Sequence, residues 1–296
     1  MKFTKKRLAL ALTLLMLLFT LTGCGGGKDT IIKVGGKNFT EQYITSHMLS
    51  ILIEENTDLK TEIKDNLSAT VIFEAIKSDE VDLYVEYIGS GLSNLHMELE
   101  GSTEEQFEAV KTRFADELNI TWLDPLGFNN TYAMVVTPET AEKYKLETVS
   151  DMAKVADDLV LGCTQIFTER ADGVPGLTSH YDFEFKDIKA MDAALMYQAL
   201  VQDDVDVISG FLTEGRIAAH DLVVLDDDKD FFPPYDSSII VRNEVLEKHP
   251  ELEEVLNKLT GKIDNNTMAE LNAAVDLDKR DPEEVAREFL EKEGLI

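Results

Sequence analysis

Cysteine is nearly absent from this chain: two in 296 residues, Cys24 and Cys163. That is too few for a disulfide framework. Positive charge is scarce as well, with 28 Lys and Arg against 57 Asp and Glu and a formal net charge of −29. A surface this acidic repels phosphate backbones, so a nucleic-acid partner is not expected. The 5 histidines, His47, His96, His180, His220 and His249, show no HExxH or other paired spacing, so no metal site is expected. Asp226, Asp228 and Asp230 open like a calcium loop. Phe231 then stands in place of the required glycine and Ser237 in place of the closing glutamate, and the stretch reads as a solvated acidic turn. No Gly-x-Ser-x-Gly elbow and no phosphate-cradling loop occurs, and no cofactor is implied. Beyond residue 23 no segment reaches the about 18 apolar residues that read as a membrane helix.

What is present is an ordinary globular balance, 44% hydrophobic and 29% charged. The length allows two modest domains or one large one. The first residues are different in kind. Lys2, Lys5, Lys6 and Arg7 form a basic start, and Leu8 to Phe19 is an apolar run too short for a comfortable span. The run ends in Leu21-Thr22-Gly23-Cys24, which resembles a bacterial lipobox. Residues 1–23 therefore read as a signal peptide, cut before a Cys24 whose thiol carries diacylglycerol. Residues 24–30, with Gly25-Gly26-Gly27-Lys28, read as a lipidated flexible tether. The mature protein is expected outside the cytoplasm, held to the bacterial cell membrane by lipid. Cys163 ends the apolar run Leu159–Gly162 and reads as a buried small thiol.

From residue 31 onward, short apolar runs alternate with helical patterns, which predicts an α/β fold with mostly parallel strands. Ile31–Val34 and Val81–Val85 read as strands, Thr40–Glu55 and Val71–Ile76 as helices, and Pro282–Leu290 as a packing helix. The pattern occurs twice. Asp79-Glu80-Val81-Asp82-Leu83, ending at Tyr87, is matched by Asp203-Asp204-Val205-Asp206-Val207, ending at Phe211. Phe39-Thr40-Glu41-Gln42 is matched by Phe167-Thr168-Glu169-Arg170, each just after a strand-like run ending in glycine. Two similar lobes account for both pairs.

In open α/β sheets ligands sit beyond the carboxyl ends of the strands. Lys37, Tyr87, Ser90, Arg170 and Phe211 fall at those ends. Lys37 and Arg170 come from loops feeding helix N-termini, where free N–H groups and the helix dipole favour an anion. Tyr132 and Tyr235 close two further turns, Gly127–Tyr132 and Phe231–Tyr235, each running into an apolar strand.

Over residues 31 to 296 the chain resembles the substrate-binding proteins of ABC importers for quaternary ammonium compounds, the ProX/OpuC type that takes glycine betaine, carnitine or choline. The strings that carry the resemblance are Gly36–Gln42, Asp82–Gly91, Gly127–Ala133, Phe167–Gly173, Val223–Lys229 and Phe231–Tyr235. It implies a bilobal periplasmic-binding-protein fold of type II, with residues 31–130 and 237–296 in lobe I and 131–236 in lobe II. It also implies a box of rings, Tyr87, Tyr132, Phe211 and Tyr235, around a trimethylammonium group. Such a group has no N–H to donate. Ring faces offer it cation–π attraction and apolar contact, about 0.5–2 kcal/mol per ring. Lys37, Ser90 and Arg170 match positions that hold the ligand's carboxylate, and an arginine fork suits one. Three departures stand out: Phe211 where tyrosine is frequent, Ser90 where threonine is common, and Asn130 where some members carry an aspartate near the cation. The retained cations favour a zwitterion, a betaine or carnitine, with choline or ergothioneine as the alternative. The resemblance further implies a monomer without catalytic turnover that serves a permease and an ATPase subunit. A secreted α/β enzyme is the alternative of another class.

Overall fold

The computed structural model describes residues 31–97, 101–170 and 172–296. The signal peptide, the tether and Cys24 lie outside them. Ten strands form two five-stranded sheets. The first holds β1 (Ile31–Lys37), β2 (Lys60–Leu67), β3 (Leu83–Tyr87), β4 (Ile120–Asn129) and β10 (Asp236–Arg242), in the order β2-β1-β3-β10-β4. The second holds β5 (Tyr132–Val136), β6 (Val160–Cys163), β7 (Asp187–Ala190), β8 (Val207–Phe211) and β9 (Val223–Leu225), in the order β7-β6-β8-β5-β9.

The two orders are the same pattern. In each sheet three parallel neighbours are followed by one antiparallel strand, and that strand is the one arriving from the other sheet. Half of the neighbouring pairs are therefore antiparallel, where the sequence suggested mostly parallel strands. The repeated Val-Asp string has one structural job in both halves. Asp82 accepts from Lys33 N at 2.9 Å, and Asp206 accepts from Val160 N at 2.8 Å. Each aspartate thus ties the start of its strand to the parallel neighbour.

Period-2 alternation decides which face each side chain takes. On β3, Leu83, Val85 and Tyr87 join one apolar cluster and Tyr84 the opposite one. On β5, Met134 and Val136 point one way and Ala133 and Val135 the other. Both faces of both sheets are covered, as mixed sheets of this kind require. The helix Thr40–Asn56 buries Ile44, Met48, Leu49 and Leu52, in one cluster with Val285, Phe289 and Leu290 of the helix Pro282–Lys292. That last helix is capped by Asp281, which accepts from Glu283 N and Glu284 N, with Pro282 at the first helical position. Cys163 is fully buried, and burial pushes its thiol up to about 11. No helix among the described residues is long and apolar enough to cross a membrane.

Two local readings of the sequence are corrected, and one strand is found that the sequence analysis did not read. β2, Lys-Thr-Glu-Ile-Lys-Asp-Asn-Leu, carries no apolar run because it is a charged edge strand. The segment around Gly127 and Phe128 is strand rather than turn, and Tyr132 opens β5 rather than closing a loop. β4 is also an edge strand and accommodates Pro125 where its register with β10 shifts. The acidic turn is not simply solvated: Asp227 takes the Tyr181 hydroxyl and Phe232 N, and Asp228 takes Ser150 N at 3.0 Å.

The chain crosses between sheets twice, at 130–131 and at 226–235. The crossings run side by side and are laced by hydrogen bonds. Asn130 N donates to Tyr235 O at 3.1 Å, Thr131 Oγ1 to Pro233 O at 2.7 Å, and Tyr235 N to Asn129 Oδ1 at 3.0 Å.

Candidate functional site

One cavity of about 500 Å³ is lined from both sheets and collects all eight residues singled out in the sequence: Lys37, Tyr87, Ser90, Asn130, Tyr132, Arg170, Phe211 and Tyr235. Lys37, Tyr87 and Phe211 are the last residues of β1, β3 and β8, the carboxyl ends of parallel strands. Ser90 lies in the helix Ile88–Asn94. Asn130 and Tyr235 belong to the crossings, and Arg170 follows the turn Ile166–Thr168. A second cavity of about 720 Å³ is lined by Asp226, Asp227 and Asp230 and, among the described residues, by no Lys or Arg, so it offers no cationic side chain to a ligand carboxylate. None of the five histidines lines either cavity.

The rings form two pairs. Tyr132 and Phe211 are directly opposite in the β5–β8 register and stack with centroids 4.7 Å apart at 30°. Tyr87 and Tyr235 are 6.5 Å apart at 52°. Gly89 makes the second pair possible, because a Cβ there would lie 2.9 Å from the Tyr235 ring. Burial pushes the Tyr235 phenol up to about 12, so it is neutral at physiological pH.

Both cations are already engaged. Lys37 is 3% exposed and forms an ion pair with Glu86. Glu86 also accepts from Tyr84 Oη at 2.9 Å and from Tyr87 N at 2.8 Å. Lys37 Nζ sits 4.7 Å from the Tyr87 ring centroid. The loop lysine expected to offer a free charge to an anion is thus a buried, matched group. Arg170 places Nε and Nη2 on the two oxygens of Asp172, at 2.6 and 2.5 Å, and Nη2 lies 3.3 Å from the Tyr235 hydroxyl.

The sequence reading passed over Glu41, although it lies inside a quoted string. Glu41 lines the cavity from the first turn of the helix Thr40–Asn56 and is 2% exposed. It accepts from Tyr87 Oη at 2.6 Å, Asn130 Nδ2 at 3.0 Å and Asn272 Nδ2 at 3.3 Å. Asn272, from the helix Asn265–Asp276, was likewise not legible. The only signal for Glu41 was its place in a helix first turn next to a strand end.

Burial raises the Glu41 pKa above the ordinary 4.5, and the hydrogen bonds from Tyr87, Thr213, Asn272 and Asn130 offset only part of that. The fold therefore holds the proton more tightly than the unfolded chain does. The stability that Glu41 contributes is full below its ordinary value and is lost as pH rises through the raised one. Glu41→Gln, uncharged throughout, should gain stability relative to the parent as pH rises from about 4.5 to 8. Paired thermal melts across that range measure this, and a pH-independent difference would refute it.

The sequence matches the family described as "Substrate binding domain of ABC-type glycine betaine transport system" over residues 30–292. It is 41% identical over 281 residues to the carnitine transport binding protein OpuCC of Listeria monocytogenes, covering 94% of this chain and 91% of that protein. It is 36% identical over 263 residues to the ergothioneine transport permease/ergothioneine binding protein EgtU of Helicobacter pylori (strain G27), covering 88% of this chain and 47% of that protein. The crystal structure of a glycine betaine/carnitine/choline ABC transporter superposes with a TM-score of 0.85 at 40% identity, over 89% of this chain and 99% of that one.

Proposed function

Because the chain belongs to the family of substrate binding domains of ABC-type glycine betaine transport systems, we propose that it captures a trimethylammonium zwitterion, a betaine or carnitine, and delivers it to a permease driven by an ATPase. The observation that carries this reading is the convergence of four rings and the Arg170 guanidinium on one cavity. A fixed cation without N–H groups is bound by ring faces, and a carboxylate by a guanidinium. The cavity volume of about 500 Å³ fits ligand pockets of about 300–1,000 Å³. The ring box is read as Tyr87, Tyr132, Phe211 and Tyr235, with Ser90 and Asn130 as polar neighbours. Lobe I is read as 31–130 with 237–296, lobe II as 131–236, and the laced crossings as the hinge. The protein works outside the cytoplasm as a monomer tethered by lipid on Cys24, and it turns nothing over.

Choline is the second reading, favoured by Asp172. A carboxylate on Arg170 reduces the positive charge that a bare cation would meet. Calorimetry with glycine betaine, proline betaine, carnitine, choline and ergothioneine tests the reading. Binding of none of them would overturn it.

Two further outcomes are expected. Tyr235→Ala should weaken the preferred ligand by about 1–3 kcal/mol, and Tyr235→Phe by less, since the ring face stays. Parent-like affinity in Tyr235→Ala would remove that ring from the site. Cys24→Ala should appear in the soluble or unprocessed fraction, with the affinity of the purified body unchanged. A variant still recovered in the membrane with its lipid would contradict the anchor.

A further inference from the structure

Six rings line the ligand cavity among the described residues, and five of them are buried or half-buried. The sixth, Phe39, is 37% exposed. It stands immediately before the helix Thr40–Asn56, at the N-cap, with extended backbone and no side-chain hydrogen bond to the helix. That position favours Ser, Thr, Asp or Asn, whose side-chain oxygen accepts from the first turn, as Ser68, Ser102 and Asp281 do for their helices. A phenylalanine gives the helix nothing of this kind. Nor does it serve the interior, since Phe39 belongs to none of the four core clusters. Its one ring neighbour among the described residues is Tyr87, with centroids 6.4 Å apart at 28°. Tyr87 is 3% exposed, and its hydroxyl donates to Glu41 at 2.6 Å and accepts from Gln42 Nε2 at 3.0 Å. Phe39 thus lies between a fixed inner ring and solvent. Its own backbone is fixed as well, because Phe39 O accepts from Gln42 N at 3.0 Å and from Tyr43 N at 3.2 Å. The side chain turns on that fixed base, and exposed side chains change rotamer within nanoseconds. The sequence repeat sharpens the point. Phe167, the residue matched to Phe39, packs on Tyr132 with centroids 4.9 Å apart and is fully buried in a core cluster. Each copy sets a phenylalanine against a tyrosine of the box. In one half that phenylalanine is packing, and in the other it opens onto the cavity.

We propose that Phe39 is a further ring of the ligand site, standing at the mouth of the cavity, where its face closes over the cation that the inner rings hold. The inference rests on the cavity being a trimethylammonium site and adds a residue that sets how long the ligand stays. A ring face at a half-open site supplies cation–π attraction and contact with methyl groups that water would otherwise cover. The helix goes without a side-chain cap in return. Stability and binding should therefore answer to this residue with opposite signs.

Phe39→Ser separates the two. Serine caps the helix and removes the ring, so the melting temperature of the ligand-free protein should stay level or rise by up to about 4 °C. Glycine betaine, proline betaine, carnitine, choline and ergothioneine are titrated in parallel. Those that bind the parent should bind the variant about three- to tenfold more weakly. The loss should appear as faster dissociation in stopped flow, because a ring at the mouth retains the ligand without steering it in. Phe39→Tyr keeps the face and should bind within about twofold of the parent. Parent-like affinity in Phe39→Ser, a loss confined to the association rate, or a Phe39→Tyr no better than Phe39→Ser would each overturn the inference and leave the trimethylammonium reading intact. No binding of any of the five compounds to the parent would bring down both readings together. If Phe39→Ser lowers the melting temperature, Phe39→Leu decides instead, since it keeps apolar bulk and loses only the face. A loss of about threefold in that variant is expected, and parent-like affinity there would make Phe39 a packing residue and overturn the inference.

Discussion

Arg170→Ala is expected to weaken a betaine or carnitine by about 2–5 kcal/mol, a loss of about 30-fold to a few thousand-fold. A carboxylate drawn into the cavity without a charged partner forfeits hydration and gains nothing in return. The guanidinium has room for it. Asp172 occupies Nε and one edge of Nη2, and the Tyr235 hydroxyl lies near Nη2, while the Nη1 hydrogens carry no bond among the described residues. Asp172 also holds the fork in place, which lowers the entropy lost on binding. Choline brings no carboxylate, so the variant removes nothing it uses. It would instead leave Asp172 unmatched beside the rings, a gain for a bare cation. Choline affinity should therefore hold or rise while zwitterion affinity collapses. Titrating both ligands against parent and variant decides it. Equal weakening of the two would mean that Arg170 serves the fold around Asp172 and Tyr235 and not the ligand.

The same arginine shows how far a sequence reaches. Its position after a strand-like run and a turn was legible because the Phe-Thr-Glu string repeats, and the structure places the two copies at corresponding strand ends. The Val-Asp strings were legible as a repeat for a reason the structure supplies: each aspartate ties two parallel strands, so each lobe needs one. Long-range pairing was not legible. Lys37 and Glu86 are 49 residues apart, and Asn272 reaches Glu41 across 231. Nothing local marks a lysine as neutralised or a helical asparagine as part of a pocket. The polar edge strand β2 was missed because edge strands are kept charged against unwanted pairing, which erases the apolar signal. The family resemblance named four rings that line one cavity, yet it conveyed no partner for either cation.

That gap leads to the second large effect. Lys37→Met should cost about 3–5 kcal/mol of stability, because it leaves the Glu86 carboxylate buried without a counter-charge. At about 2–4 °C per kcal/mol for a chain of this size class, the melting temperature should fall by about 10 °C. The side chains are 4% and 1% exposed, so solvent does not screen the loss. The double variant Lys37→Met/Glu86→Gln separates charge from packing. A glutamine at 86 can still accept from Tyr87 N and meet the Tyr84 hydroxyl, the two other contacts of Glu86. Replacing both partners of a buried pair by well-packed neutral groups is often neutral or better, so most of the lost stability should return. Ligand titration on the restored protein then reports on Lys37 alone. If its charge is spent on Glu86, zwitterion affinity should fall far less than in Arg170→Ala. The Tyr87 face now covered by the ammonium at 4.7 Å would also be open to a trimethylammonium group. A folded double variant that loses zwitterions as completely as Arg170→Ala would return Lys37 to the carboxylate, and would mean that ligand binding draws the lysine away from Glu86.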